Sequence, residues 1–204
     1  MPKSRWLLQM VAAALALASG ACTTVTLHYR SDFGRVPKTF GAVTLTVLND
    51  RKPSRGGGGD VDSIGNMRST VGIATSLLSD EDGAVLQTVR AAVQDALSHS
   101  GVVNTPNAPR SLLVRVTEYW IDGYMRYTAN ISLDCELKGD QGQTLWKAAM
   151  LAKAASVKPG GGIDTLFASA LFEDALSDLA IKAAAQFHAP AFIEAVQEPA
   201  SAPQ

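Results

Sequence analysis

Three histidines, two cysteines and a few clustered acids are the residues of this 204-residue chain that could do chemistry, and their spacing excludes most of it. His28, His99 and His188 stand far apart, and none lies in a G-x-S-x-G or H-E-x-x-H pattern that would pair a nucleophile or a metal with a base. Cys22 and Cys135 have no zinc-ligand spacing to each other or to the histidines, so no metal and no cofactor is expected. Gly56 to Gly59 suggests a phosphate cradle, but no Lys-Ser/Thr pair closes it, and four glycines in a row read better as a flexible surface insertion. Asp60 and Asp62 offer that loop two carboxylates for calcium and nothing more. Asp80, Glu81 and Asp82 precede a helical pattern, where acids complement the positive end of the helix dipole. The expectation is a protein that is not an enzyme. A catalytic group that converges only in space stays open, and His99, Asp50 and Arg51 meeting in one pocket would be its sign.

The candidate with a specific chemical fate is Cys22. Lys3 and Arg5 begin the chain, Trp6 to Ala18 is apolar except for Gln9, and the small residues Ser19, Gly20 and Ala21 come just before the cysteine. This is the pattern of a secretory signal peptide over residues 1–21, with an apolar run too short for the ~20 residues that span a bilayer. The cysteine after small residues resembles the lipobox of bacterial lipoproteins, although Ser19 occupies the position where that pattern prefers Leu. Ala16-Leu17-Ala18 is an alternative signal-peptidase site, which would release the protein without lipid. The resemblance implies acylation of Cys22 by chains such as palmitate. Thr23, in place of Asp, implies the outer membrane, facing the periplasm. Cys135 would then be a lone, buried thiol, with a Cys22–Cys135 disulfide as the alternative.

A second cluster joins aromatics to a cation: Tyr119, Trp120, Tyr124 and Arg126, in a stretch expected at a strand-to-strand turn. Aromatic area with polar tips suits contact with a protein partner, whereas core capping by Trp120 and Tyr127 is the plainer alternative. Charge adds no steering, because 18 Lys and Arg oppose 19 Asp and Glu. Nucleic acid is therefore not an expected partner.

These residues need elements to hold them. Residues 22–39 show neither strand nor helix period and read as a lipidated tether, and the domain is expected over 40–187. Val43, Leu45 and Val47 alternate in a first strand that ends at Asp50-Arg51, a pair read as ordering the turn, with Gly65 beyond the glycine loop. Leu86, Val89, Val93, Ala96 and Leu97 recur at helical spacing after Asp82 and stop at Ser100-Gly101. Three strands follow, built on Leu112, Val114 and Val116, on Tyr127 through Leu137, and on Trp146 through Ala152. Asp164 then caps a long helix with Leu171, Phe172, Ala175, Leu176, Leu179, Ala183 and Phe187 on one stripe. Residues 188–204 are read as a disordered tail. The predicted fold is an α+β two-layer sandwich: a mainly antiparallel four-stranded sheet with two long helices on one face, in the order strand-helix-strand-strand-strand-helix.

That order, with Asp50-Arg51 closing the first strand, a loop reaching Ile64-Gly65, a helix closing at Gly101-Val102 and a signal ending at Cys22, resembles the YajG-like family of uncharacterised bacterial outer-membrane lipoproteins. The resemblance implies an anchored periplasmic domain without established activity. The functional expectation is a non-catalytic binding or adaptor component of a cell-envelope protein complex. An auxiliary lipid-binding subunit of a lipid-transport system and an enzyme of unrecognised type are its alternatives.

Overall fold

The computed structural model describes residues 22–30, 33, 39–52, 63–68, 74–79, 83–124, 126–157 and 164–197. Residues 1–21, expected to be a signal peptide, the glycine loop with Asp60 and Asp62, the acidic run 80–82 and residues 198–204 lie outside them. In chain order the elements are β1 (Cys22–Val25), β2 (Gly41–Asn49), β3 (Ser63–Arg68), β4 (Ala74–Ser79), α1 (Ala84–His99), β5 (Val102–Asn104), β6 (Ser111–Tyr124), β7 (Arg126–Lys138), β8 (Thr144–Val157), α2 (Thr165–Phe187) and α3 (Pro190–Gln197).

The antiparallel meander β6–β7–β8 is the frame. Period-2 alternation drives it: Val114 faces Cys135, Ile121 faces Ala129, and Ile131 faces Ala152, all buried on one side. The other side carries Glu136, whose carboxyl is held below its usual range first by the hydrogen bond from the Thr144 hydroxyl and then by Lys147 and Lys138. The Ala-rich run of β8 is a strand, as its hairpin entry and alternating lysines predict. Asp164 caps α2 as expected, its Oδ1 accepting from the Leu166 and Phe167 amides at 3.1 and 3.2 Å. The predicted stripe from Leu171 to Phe187 is buried against the sheet and α1.

The sheet itself corrects the expectation of four mainly antiparallel strands under two helices. Among the described residues it has eight strands in mixed order, with three helices, and four of the seven pairings are parallel: β1 with β4, β2 with β5, and β6 with both β2 and β3. The reason lies in β6. Its 14 residues give one whole edge to β7, while the other edge is shared end to end, β2 taking Ser111–Val116 and β3 taking Ile121–Gly123. Strands β1, β3, β4 and β5 are three to six residues long, too short to show a period in sequence.

Two further boundaries change. Cys22–Val25 is an edge strand and not part of a tether, and the chain after it stays bound: Leu27 is buried, the Ser169 hydroxyl donates to Thr26 O at 2.6 Å, Tyr29 donates to Asp95 at 2.7 Å, and Phe33 stacks on His99 at 4.5 Å. Residues 190–197, within the expected disordered tail, form α3, because Phe192 finds Trp146 and Phe187, each 4.8 Å away between ring centroids. Pro190 starts that helix, where a missing amide proton costs nothing.

Candidate functional site

Strand register sorts the candidate residues between two ends of the sheet. One row runs Cys22, Ser76, Asn66, Asp122, Thr128 and Ala155 across β1, β4, β3, β6, β7 and β8. Two residues further on, the sheet ends at Tyr124, Arg126 and Val157. Cys22 therefore starts β1 about 7 Å from the end of the sheet. This end also holds the start of α2, whose Leu166 shares a shallow groove with Thr24 and Thr26. Leu166 is 81% exposed and Val157 65%, the two most exposed large apolar residues described, and Arg126 is exposed beside Val157.

The aromatic cluster does not form one surface. β6 continues through Tyr119 and Trp120 to Tyr124, so the chain reverses later than expected, with Tyr124 opposite Arg126. Tyr119 is buried rather than at a partner-facing turn, and stacks on Phe172 at 4.6 Å with 17° between ring planes. Its hydroxyl has no well-formed hydrogen bond. Burial drives its pKa well up, an effect that the Thr88 hydroxyl and the Arg51 charge only partly offset. Trp120 is half-buried and opposite Asn130 on the face away from the helices. The Tyr124 side chain lies outside what the structure describes.

Asp50, Arg51 and Gly65 lie where β2 hands the β6 edge to β3. The Asp50 amide donates to Val116 O at 2.9 Å. Arg51 donates from Nε to Asn49 Oδ1 at 2.9 Å and from Nη1 to Ser63 O at 3.1 Å, spanning the break between the strands. Gly65 has φ +151°, and a Cβ there would overlap the Ile121 carbonyl. His99 is at the opposite end of β2, since Gly101 O accepts from the Phe40 amide next to Gly41. The nine residues of β2 separate it from Asp50 and Arg51 by about 25 Å, so the three do not share a pocket.

At that far end a serine and a histidine meet by tertiary packing, which sequence spacing could not reveal. Ser100 Oγ lies 3.1 Å from His188 Nδ1, and both groups cap helix C-termini: Ser100 Oγ donates to Ala96 O at 2.9 Å, and His188 Nδ1 is 2.9 Å from Ala184 O. The ring nitrogen that faces the hydroxyl thus also faces a carbonyl oxygen, which can only accept. His99 packs edge-on to the His188 ring at 5.3 Å. Among the described residues no three His, Cys, Asp or Glu side chains group as a metal site would require. Cys135 is a free buried thiol, its pKa pushed up to about 12 by burial and then by the Asp134 charge, which keeps it protonated and unreactive. Among the described residues no helix is long and apolar enough to cross a membrane. His28 is exposed on the segment after β1.

No protein-family model matches the chain, and no curated protein is significantly similar to it. Solved structures do resemble it. A Xanthomonas campestris protein of family DUF330 is 18% identical, with 78% of this chain and 91% of that one covered at a TM-score of 0.50. A lipoprotein candidate from Caulobacter crescentus is 20% identical over 54% of this chain and 80% of its own, at 0.37. A minor lipoprotein from Acinetobacter baumannii is 18% identical over 50% and 84%, at 0.39. None of these three singles out the YajG-like family. What this chain shares with the Xanthomonas protein is its fold.

Proposed function

We propose that this chain is a bacterial envelope lipoprotein, acylated at Cys22, held at the periplasmic face of the outer membrane, and acting there as a non-catalytic binding component. The observation that carries the reading is the N-terminal pattern: a basic start, a thirteen-residue apolar stretch and small residues that end at Cys22. The non-catalytic part is supported by the Ser100–His188 contact, in which both groups are engaged with carbonyls at helix C-termini. It is also supported by the separation of His99 from Asp50 and Arg51 along β2.

Intact mass together with membrane flotation of wild type and Cys22→Ser tests this. The expected result is a wild-type mass that starts at Cys22 with acyl chains added, floating with outer membrane, and a Cys22→Ser form found in the soluble fraction. A wild-type chain cut near Ala18, without lipid and soluble, would refute it.

A further inference from the structure

We infer that the sheet end bearing Cys22 lies directly on the surface of a phospholipid bilayer, with Leu166 and Val157 entering the headgroup layer and Arg126 meeting lipid phosphates. The inference rests on the acylation of Cys22 proposed above and adds an orientation to it. The physical argument is the absence of slack. Lipoproteins can hang from a flexible linker, but here Cys22 is itself paired with Ser76 in β1, and Val25, three residues on, is wholly buried. A lipid on Cys22 would hold the nearest sheet end within about 7 Å of the attachment point, two residue steps of strand.

The chemistry of that end fits such a surface. Leu166 occupies the first turn of α2, off the stripe formed by Leu171, Phe172 and Ala175, and is left 81% exposed beside Thr24 of the anchored strand. Val157 ends β8 on the face away from the helices, opposite the exposed Arg126. Apolar side chains thus project from both layers of the sandwich at the end where the lipid would be, with a cation beside Val157. An exposed apolar residue next to a lipid anchor gains by partitioning into the interface, and a second weak signal of this kind consolidates a single-site anchor. The opposite end, with α3 and the turn at Asp140–Gly142, would then face away from the membrane.

The test uses the full-length protein, processed in cells, purified from membranes and placed in vesicles of phosphatidylethanolamine and phosphatidylglycerol. An environment-sensitive fluorophore is attached in turn at Leu166→Cys, at Val157→Cys and, as the far-end control, at Gln141→Cys. Cys135 is buried, and Cys22 would carry lipid. The expected result is a blue-shifted emission at positions 166 and 157, quenched severalfold by spin-labelled lipid, with position 141 unaffected. A twelve-residue Gly/Ser insertion between Cys22 and Thr23 should return position 166 to the water-like spectrum. An acylated protein whose 166 and 157 probes remain water-like would overturn the orientation while leaving the anchor intact. A mass without lipid would overturn both.

Discussion

At the scale of single residues, Tyr119 shows how a side chain suited to surface contact can be claimed by the core. Its ring gains stacking on Phe172, and its hydroxyl is buried without a well-formed partner. An unsatisfied buried hydroxyl costs about 1–3 kcal/mol, so Tyr119→Phe is expected to hold or raise stability, by up to about 1 kcal/mol after packing losses. Urea unfolding followed by far-UV circular dichroism would check this, and a loss of more than about 1 kcal/mol would mean that the hydroxyl has a partner. The period of β7 told which of its residues are buried, including Cys135. The side of β6 that Tyr119 faces was not legible in the same way. A register shift between Val116 and Glu118 puts Val116 and Tyr119, three apart, on the buried face, which simple alternation forbids.

At the scale of elements, the join of β2 and β3 along β6 decides the topology, and Gly65 makes the second half of it possible. Its positive φ and the nearness of the Ile121 carbonyl leave no room for a side chain. Gly65→Ala is expected to destabilise the protein by on the order of 3 kcal/mol, through backbone strain and steric overlap. Hydrogen exchange should place the damage in β3, β4 and β1 before β7 and β8; a uniform loss across the sheet would contradict this account. The outer edge of β8 is guarded differently. Asp178 accepts from the Lys153 amide at 3.1 Å, while Lys182 donates to Leu151 O at 2.9 Å, so α2 occupies edge groups that another strand would otherwise pair with. Helices α1 and α2 and the three long strands were readable because each repeats its period several times; β1, β3, β4, β5 and the eight-residue α3 do not.

At the scale of the whole molecule, the two ends of the sheet separate in character. The Cys22 end has exposed apolar tips, and the other end closes with α3, where Phe192, Trp146 and Phe187 form an aromatic cluster. If α3 belongs to one cooperative unit with the sheet, Phe192→Ala should cost about 3–5 kcal/mol, read as a lower urea midpoint in a single transition. A change below about 1 kcal/mol would return residues 190–197 to the status of a tail. The amino-acid sequence by itself carries the pattern on which the proposed export and acylation rest, and it determined the long helices and the long strands, because these depend on local composition and on periods that recur within one segment. Tertiary structure alone decided that the sheet formed by the described residues is mixed and eight-stranded, that Cys22 begins an edge strand, that Tyr119 is core and that Ser100 meets His188. Short strands draw their stability from partners distant in the chain, and a residue's exposure depends on which of those partners covers it.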